Sequence, residues 1–389
     1  MTTRLAFLFP IKNPSFATVP SRDLFSMKVL QALCVFIAGL TLVAGAPAGE
    51  DKHLVSTKPG EVISVTEQEL EKLIRSGKKF FDLTGQSKRP LPRAQKVVAF
   101  PSQPQFQQEV KKYNGLLNRN NLKSNLEKLS SFYTRYYRSQ TGVQSAQWIF
   151  DKATEIANST SGGAKVSVKK FQHSWPQFSV IARIEGSNPA LKDIVVVGAH
   201  QDSINQNNPQ NGRAPGADDD GSGSITILES LRTLVAGGFA PKRSVEFQWY
   251  AAEEVGLRGS QDIANRYQSS GVQVRAMLQQ DMTGYPGNTR AVGIITDYVD
   301  SALTGFLRKL VTAYCSIRWV NTECGYACSD HASFTEAGFP SSFAFESTFD
   351  DSNPYIHTAQ DTTDYVDYNH MLEFAKLVNG FAVELANSN

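Results

Sequence analysis

Residues 195–254 read VVVGAHQDSINQNNPQNGRAPGADDDGSGSITILESLRTLVAGGFAPKRSVEFQWYAAEE, and this stretch decides the fold. Its β-branched start, 195–197, is stopped by Gly198, which is typical of a buried strand. Leucine and isoleucine recur at helical spacing over 224–235, and two glycines follow at 237 and 238. A second apolar run covers 245–251. The stretch therefore predicts strand, loop, helix and strand in succession.

Polar side chains collect where these two strands end. His200 and Asp202 follow the first strand, the acidic triplet 218–220 opens the helix, and Glu253 and Glu254 follow the second strand. Open α/β sheets bind their ligands at the carboxyl ends of the strands. The arrangement therefore predicts a metal site at that edge.

Alternation of strands and helices continues on both sides of the stretch. Further strands are predicted over 165–171, 178–184, 274–280, 292–296 and 341–345, and helices within 105–157 and over 260–267, 301–314 and 369–385, with a short helix from 329. This spacing predicts an α/β fold, with a mostly parallel, doubly wound sheet flanked by helices in a single domain.

The N-terminal region differs from the rest. Lys28 precedes an apolar run, 29–43, and small residues at 44–46, which is the pattern of a secretory signal cleaved after Ala46. The run is shorter than the membrane-spanning length of about 20 residues. We therefore predict an N-terminal extension and signal peptide over 1–46, no membrane anchor, and secretion. A net charge of +2 without a Lys/Arg cluster argues against a nucleic-acid partner.

The next segment, 47–95, is predicted to be a propeptide. It is polar and charged, and Ser64 with Glu67 offers a capping box for one helix. The dibasic pair 88–89 and the prolines after it resemble a linker that a processing protease cuts, although Pro90 hinders many such proteases. A helical cap retained on the mature protein is the alternative. The catalytic domain is predicted over 96–389.

Three cysteines remain after removal of the signal: Cys315, Cys324 and Cys328. Secretion favours oxidation, so the close pair 324/328 is predicted to form a disulfide and Cys315 to be the odd thiol. A metal-binding role for the close pair is the alternative. Asn158 begins a good glycosylation sequon.

The candidate metal ligands combine imidazole and carboxylate groups: His200, Asp219, Glu254, Asp281 and His357. Five ligands are too many for one tetrahedral zinc that keeps a water, but they suit two ions about 3.5–4 Å apart. The acidic triplet is expected to supply the bridging carboxylate, and Glu253 the general base. The alternatives without a catalytic role are a solvated turn for the triplet and the first turn of a helix for the Glu-Glu pair.

Six ordered motifs then carry a resemblance: GAHQDS, APGADDDGSG, AAEEVGLRGSQD, LQQDMTGY, CGYACSDHAS and NPYIHTAQDT. From about residue 120 onward the chain closely resembles the secreted di-zinc leucyl-type aminopeptidases of fungi and bacteria, and FFDLT at 80–84 resembles the propeptide of the fungal members. The resemblance implies a phosphorylase/hydrolase-like fold, two zinc ions per chain, a zymogen, a monomer, and peptide substrates with a free N-terminus.

Residue by residue, the resemblance implies that His200 and Glu254 bind one zinc and that Asp281 and His357 bind the other. It also implies that Asp219 bridges the two ions and that the peptide bond between Asp219 and Asp220 is cis. It assigns Glu253 as general base, Asp202 as the partner that orients His200, and Tyr326 as the donor to the oxyanion. The pocket for the N-terminal side chain is expected to comprise Met282, Ile295, Phe343, Phe345, Phe349 and Ile356, for which core packing is the alternative.

One departure affects specificity, because Ser352 stands where some relatives carry an aromatic pocket residue. Leucine preference is therefore less firmly implied than aminopeptidase activity. Three rival functions share this fold: a glutaminyl cyclase with one zinc, a carboxypeptidase, which needs a cationic residue for the substrate carboxylate, and an inactive receptor-like ectodomain.

Overall fold

The computed structural model describes residues 52–58, 61–77, 80–84, 98–159 and 162–388. The expectations for the signal peptide and for the dibasic pair 88–89 lie outside these ranges. Within them, no helix has the length and apolar character needed to cross a membrane.

The strands and helices are numbered in chain order. The strands are β1 Lys52–Lys58, β2 Glu61–Thr66, β3 Phe81–Asp82, β4 Val166–Phe171, β5 Ser179–Ile184, β6 Ile194–His200, β7 Val245–Tyr250, β8 Val274–Gln280, β9 Val292–Ile295, β10 Trp319–Thr322 and β11 Ser341–Phe345. The helices are α1 Glu67–Arg75, α2 Gln107–Asn114, α3 Arg119–Ser130, α4 Gln140–Asn158, α5 Gly223–Ala236, α6 Arg258–Ser270, α7 Ser301–Tyr314, α8 His331–Glu336 and α9 Tyr368–Asn387.

Eight strands form the central sheet in the order β10-β9-β11-β8-β6-β7-β5-β4. Parallel pairing joins β6 to both β7 and β8, β11 to β8, and β10 to β9. Antiparallel pairing joins β4, β5 and β7 at one end and β11 to β9 near the other. The prediction of a mostly parallel α/β sheet is confirmed, and the edge strand β10 is an addition to it.

Helices cover both faces of the sheet. Side chains of successive strand residues point to opposite faces, so neighbouring residues of one strand pack against different helices. In β6, Val195 and Val197 join the large apolar cluster that contains residues of α5, α7 and α9. Val196 between them joins a smaller cluster with Ile263 of α6 and Phe334 of α8. This alternation confirms the doubly wound arrangement and buries β6 between β7 and β8 in the interior of the sheet.

The N-terminal segment, residues 52–84, contains more structure than the sequence reading predicted. Strands β1 and β2 form an antiparallel hairpin, and β3 pairs with β1. The capping box lies two residues later than expected, with Thr66 as N-cap and Glu69 as its partner. The shift arises because β2 continues to Thr66, which pairs with Lys52, so Ser64 is part of a strand.

Candidate metal centre

Each candidate ligand is placed by the end of a strand or by a tight turn. His200 is the last residue of β6, and Asp281 directly follows β8. Glu254 lies four residues beyond β7. Asp219 lies in the turn before α5 and is joined to Asp220 by a cis peptide bond, as the resemblance implied. His357, after β11, adopts a positive φ of 58°.

All five ligand side chains converge, in two groups that share Asp219. His200 Nε2 lies 3.0 Å from Asp219 Oδ1 and 3.5 Å from Asp281 Oδ1. His357 Nε2 lies 2.8 Å from Asp219 Oδ2 and 3.0 Å from Glu254 Oε2. The expected pairing of the ligands is therefore wrong: His200 groups with Asp281, and His357 groups with Glu254.

The donor set fits zinc, which binds imidazole nitrogen and carboxylate oxygen. His200 is fully buried, yet neither of its ring nitrogens makes a hydrogen bond of ordinary geometry. Buried polar atoms are normally satisfied. A cation between His200, Asp219 and Asp281 would satisfy the Nε2 lone pair without any rearrangement of the sheet.

Electrostatics at the centre are dominated by the crowding of carboxylates. Burial alone would lower the pKa of His200, but the carboxylates of Asp281 and Glu253 hold it well above its usual range. Burial alone would raise the pKa of Asp219, but His357 and His200 hold it well below its usual range. The site therefore attracts positive charge strongly.

Asp202 connects one ligand to the Glu-Glu pair. Its carboxylate lies 3.5 Å from His200 Nδ1 and accepts the backbone N–H groups of Glu253 and Glu254 at 3.0 and 3.2 Å. The Asp202 side chain thus contacts the imidazole of His200 and also holds the backbone of both glutamates. This matches the carboxylate–histidine arrangement common at zinc sites.

Further polar residues that support the centre were not found from the sequence. Asp361 accepts the backbone N–H groups of Asp218 and Asp219, each at 3.0 Å. Arg135 is fully buried and donates to backbone oxygens of the loop 201–216, including those of Gln201 and Gly216 at 2.8 Å. Asp361 lies within the motif NPYIHTAQDT and Arg135 lies outside the quoted motifs, but each acts on backbone far away in the chain, so neither role follows from the sequence.

The disulfide between Cys324 and Cys328 is present, and Cys315 is free, as predicted. Asp297 accepts the backbone N–H groups of Cys324 and Gly325 at 3.1 and 2.8 Å. The short loop that carries Tyr326 is therefore held at two points. Tyr326 and Glu253 line the same small cavity.

The six residues expected to form the side-chain pocket lie together in one apolar cluster beside the disulfide: Met282, Ile295, Phe343, Phe345, Phe349 and Ile356. Three of the rings contact one another in sequence, with Phe345 5.8 Å from Phe343 and 5.5 Å from Phe349 between ring centroids. Ser352 donates its hydroxyl to the carbonyl oxygen of Phe349 at 2.9 Å. The structure thus places these residues beside the ligand Asp281, which precedes Met282.

A doubly wound sheet with imidazole and carboxylate ligands at its carboxyl edge defines a metal-dependent hydrolase of the α/β class. The chain belongs to peptidase family M28, whose model matches residues 179–382. It is 47% identical over 350 residues to leucine aminopeptidase 1 of Trichoderma harzianum, covering 86% of this chain and 87% of that protein. It is 46% identical over 386 residues to leucine aminopeptidase 1 of Ajellomyces capsulatus strain H88, covering 92% and 99%.

Among solved structures, the LapA aminopeptidase of Legionella pneumophila is similar with a TM-score of 0.76 and 31% identity, covering 89% of this chain and 95% of that one. These findings confirm the family that the sequence motifs indicated. The chain is a zinc-dependent aminopeptidase, a metalloexopeptidase.

Proposed function

We propose that the protein is a secreted aminopeptidase that uses two zinc ions and removes leucine or another large apolar residue from peptides with a free N-terminus. The observation that carries the two-ion proposal is the orientation of Asp219. Its Oδ1 faces His200 and its Oδ2 faces His357, at 3.0 and 2.8 Å. A carboxylate with each oxygen in a different ligand group is suited to bridge two cations.

Bound zinc supplies Lewis acidity and makes water a stronger nucleophile at neutral pH. The chain's own groups then handle the proton and the developing charge. Glu253 takes the proton of the attacking water and returns it to the leaving nitrogen. Tyr326 donates its hydroxyl to the oxyanion from a loop fixed by the disulfide and Asp297.

Specificity is assigned to the apolar cluster that begins at Met282. Phe343 and Phe345 are buried within it, and the disulfide cysteines pack against it. Phe349 and Ile356 are the partly exposed members of the cluster, and a large apolar side chain of the substrate would replace solvent on them, which stabilises binding in proportion to the area buried. Secretion is supported by the signal-like residues 28–46, the disulfide and the exposed sequon residue Asn158.

The N-terminal segment, residues 52–84, is proposed to keep the enzyme latent. Ile74, Gly77 and Phe80 lie opposite Glu253, Glu254 and Tyr326 around a cavity of about 30 Å³. A cavity of this size holds a few water molecules. A peptide N-terminus needs more room than this, so on this proposal the segment leaves before substrate enters.

The contacts of the segment with the catalytic part are both apolar and polar. Val55, Leu70 and Ile74 pack with Tyr136 and Val255 in one cluster. The backbone N–H of Asp82 donates to Gly256 at 3.2 Å, and Arg258 lies 3.2 Å from the Asp82 carboxylate. These contacts hold the segment directly beside the Glu-Glu turn.

The decisive experiment compares three variants of the processed enzyme with aminoacyl amides, with and without a chelator. Glu253→Gln should lower kcat by about 10²–10⁴-fold and keep two zinc ions per chain. Asp219→Ala should lose both metal and activity, whereas Glu336→Gln, an exposed change in α8, should change neither. Substantial turnover by zinc-loaded Glu253→Gln would refute the role of the base. Cyclisation of N-terminal glutamine without leucyl-amide hydrolysis would refute the aminopeptidase specificity.

A further inference from the structure

Gln206, in the loop after β6, contacts His357 through both its backbone and its side chain. Its backbone N–H donates to the carbonyl oxygen of His357 at 3.0 Å, and its side-chain amide lies 2.7 Å from Nδ1 of the ring. We propose that Gln206 is a positioning residue that fixes the imidazole of His357 for metal binding. This inference rests on the proposed role of His357 as a zinc ligand.

Gln206 is itself presented by an ordered turn. The side-chain oxygen of Asn205 accepts the backbone N–H groups of Asn207 and Asn208 at 3.1 and 3.3 Å. Its amide nitrogen donates to the carbonyl oxygen of Arg213 at 2.9 Å. Asparagine commonly stabilises turns in this way. The backbone on either side of Gln206 is therefore ordered by local hydrogen bonds.

His357 needs such support for two reasons. Its backbone lies in the left-handed region, at φ 58°, which is unfavourable for a residue with a Cβ and persists only where surrounding contacts impose it. Its Nε2 faces Asp219 and Glu254, so Nδ1 is the atom left to fix the rotation of the ring. Histidine ligands of metals usually donate this second N–H to an oxygen acceptor.

An amide suits this position because it can present either an N–H donor or an oxygen acceptor after a half-turn of its terminal torsion. When Nε2 binds a metal, the ring proton lies on Nδ1, and the oxygen of Gln206 accepts it. When Nε2 carries the proton, the NH₂ group donates to Nδ1. Gln206 therefore holds the ring in the same orientation in both states.

The two ligand histidines differ in this respect. His200 has a carboxylate, Asp202, near its Nδ1, and that carboxylate is an acceptor only. A glutamate at position 206 would likewise accept from Nδ1 and match only the metal-bound tautomer. Gln206→Glu should therefore keep or strengthen zinc binding, whereas Gln206→Met, of similar length without polar atoms, should weaken it.

The test measures zinc affinity of the full chain by competition with a chromogenic chelator, together with zinc content and kcat/KM. Gln206→Met should weaken binding of one of the two zinc ions by about ten- to hundredfold, and Gln206→Glu should bind it at least as tightly as the unmodified chain. Gln360→Met is the matched control, because Gln360 is an exposed residue of the same loop as His357. Its zinc affinity should not change.

Zinc affinity of Gln206→Met within twofold of the unmodified chain would overturn the inference. Equal weakening by Gln206→Met and Gln206→Glu would also overturn it, because that result indicates packing and not hydrogen bonding. Thermal unfolding of the zinc-free variants reports folding, and Gln206→Asn, one methylene shorter, replaces Gln206→Met if the latter does not fold.

His357→Ala separates this inference from the proposed function. If His357→Ala keeps two zinc ions, the assignment of His357 as a ligand fails. If His357→Ala loses one zinc ion while Gln206→Met binds normally, the ligand assignment stands and only the positioning role of Gln206 fails.

Discussion

Replacing Asp202 with asparagine tests whether one carboxylate holds both a metal ligand and the general base. The carboxylate accepts the N–H groups of Glu253 and Glu254 at 3.0 and 3.2 Å and lies 3.5 Å from His200 Nδ1. Asparagine has one oxygen, so its NH₂ group must face one of these donors. At least one hydrogen bond to a charged acceptor is then lost.

Such a bond contributes about 1.5–3 kcal/mol, and about 1.4 kcal/mol corresponds to a factor of ten in an equilibrium constant. We therefore expect Asp202→Asn to weaken zinc binding by about ten- to hundredfold, the range typical of residues that orient metal ligands. At saturating zinc, kcat should remain reduced, because the backbone of Glu253 loses its anchor.

The assay combines chelator competition for zinc affinity with hydrolysis of leucyl 4-nitroanilide at saturating zinc. Asp364→Asn is the control, because it makes the same chemical change at an exposed residue away from the centre. If Asp202→Asn stays within about threefold of the unmodified enzyme in both measurements, well below the expected range, then Asp202 does not orient the ligands as its contacts indicate.

Tyr326→Phe keeps the ring, whose centroid lies 6.2 Å from that of Phe349, but removes the hydroxyl, so kcat should fall by about 10²–10³-fold at unchanged zinc content; unchanged steady-state kinetics would contradict the oxyanion role. Asp82 raises the pKa of His53 against the effect of burial, and Glu67 adds to the rise. The ion pairs of protonated His53 with Asp82 and Glu67 therefore stabilise the N-terminal segment below about pH 6.5, and they are lost as the pH rises through the raised pKa of His53. Thermal unfolding across that range should show this loss in the unmodified chain and not in His53→Gln. Chelation should lower the free energy of unfolding by about 4 kcal/mol for each zinc ion removed, relative to protein in zinc at a thousandfold its Kd; calorimetry without a shift in midpoint would argue against metal binding at these ligands.

The buried parts of the sheet were predictable because their patterns are strong. Strands β8 and β11 and helix α7 have the bounds that periodicity predicted. The hairpin β1–β2 and the edge strand β10 were missed, since polar and charged residues dilute the alternation where one face is exposed. In β10, for example, Trp319 and Asn321 are exposed.

The convergence of the candidate ligand residues was predictable from their types and positions, but their grouping was not. Strand β6 lies between β7 and β8, so His200 has neighbours on both sides. Asp281 directly follows β8 and stays beside His200, whereas Glu254 lies four residues past β7 and reaches His357. The positions of these loops depend on backbone contacts such as those of Asp202, which no sequence pattern reveals.

Buried charge gives an independent reason to place two cations at this edge of the sheet. Burial raises the pKa of Asp330 to about 7 and that of Asp361 to about 8, so each is ionised to a smaller extent at neutral pH than an exposed aspartate. Asp219 differs, because it stays ionised although it is buried. An ionised buried carboxylate is stabilised by positive charge nearby. The neighbouring imidazoles of His200 and His357 supply that charge only when both of their ring nitrogens are protonated. In the two-zinc site that we propose, two divalent ions would supply it at both oxygens at once, so loss of the Asp219 carboxylate is expected to lower the occupancy of both positions.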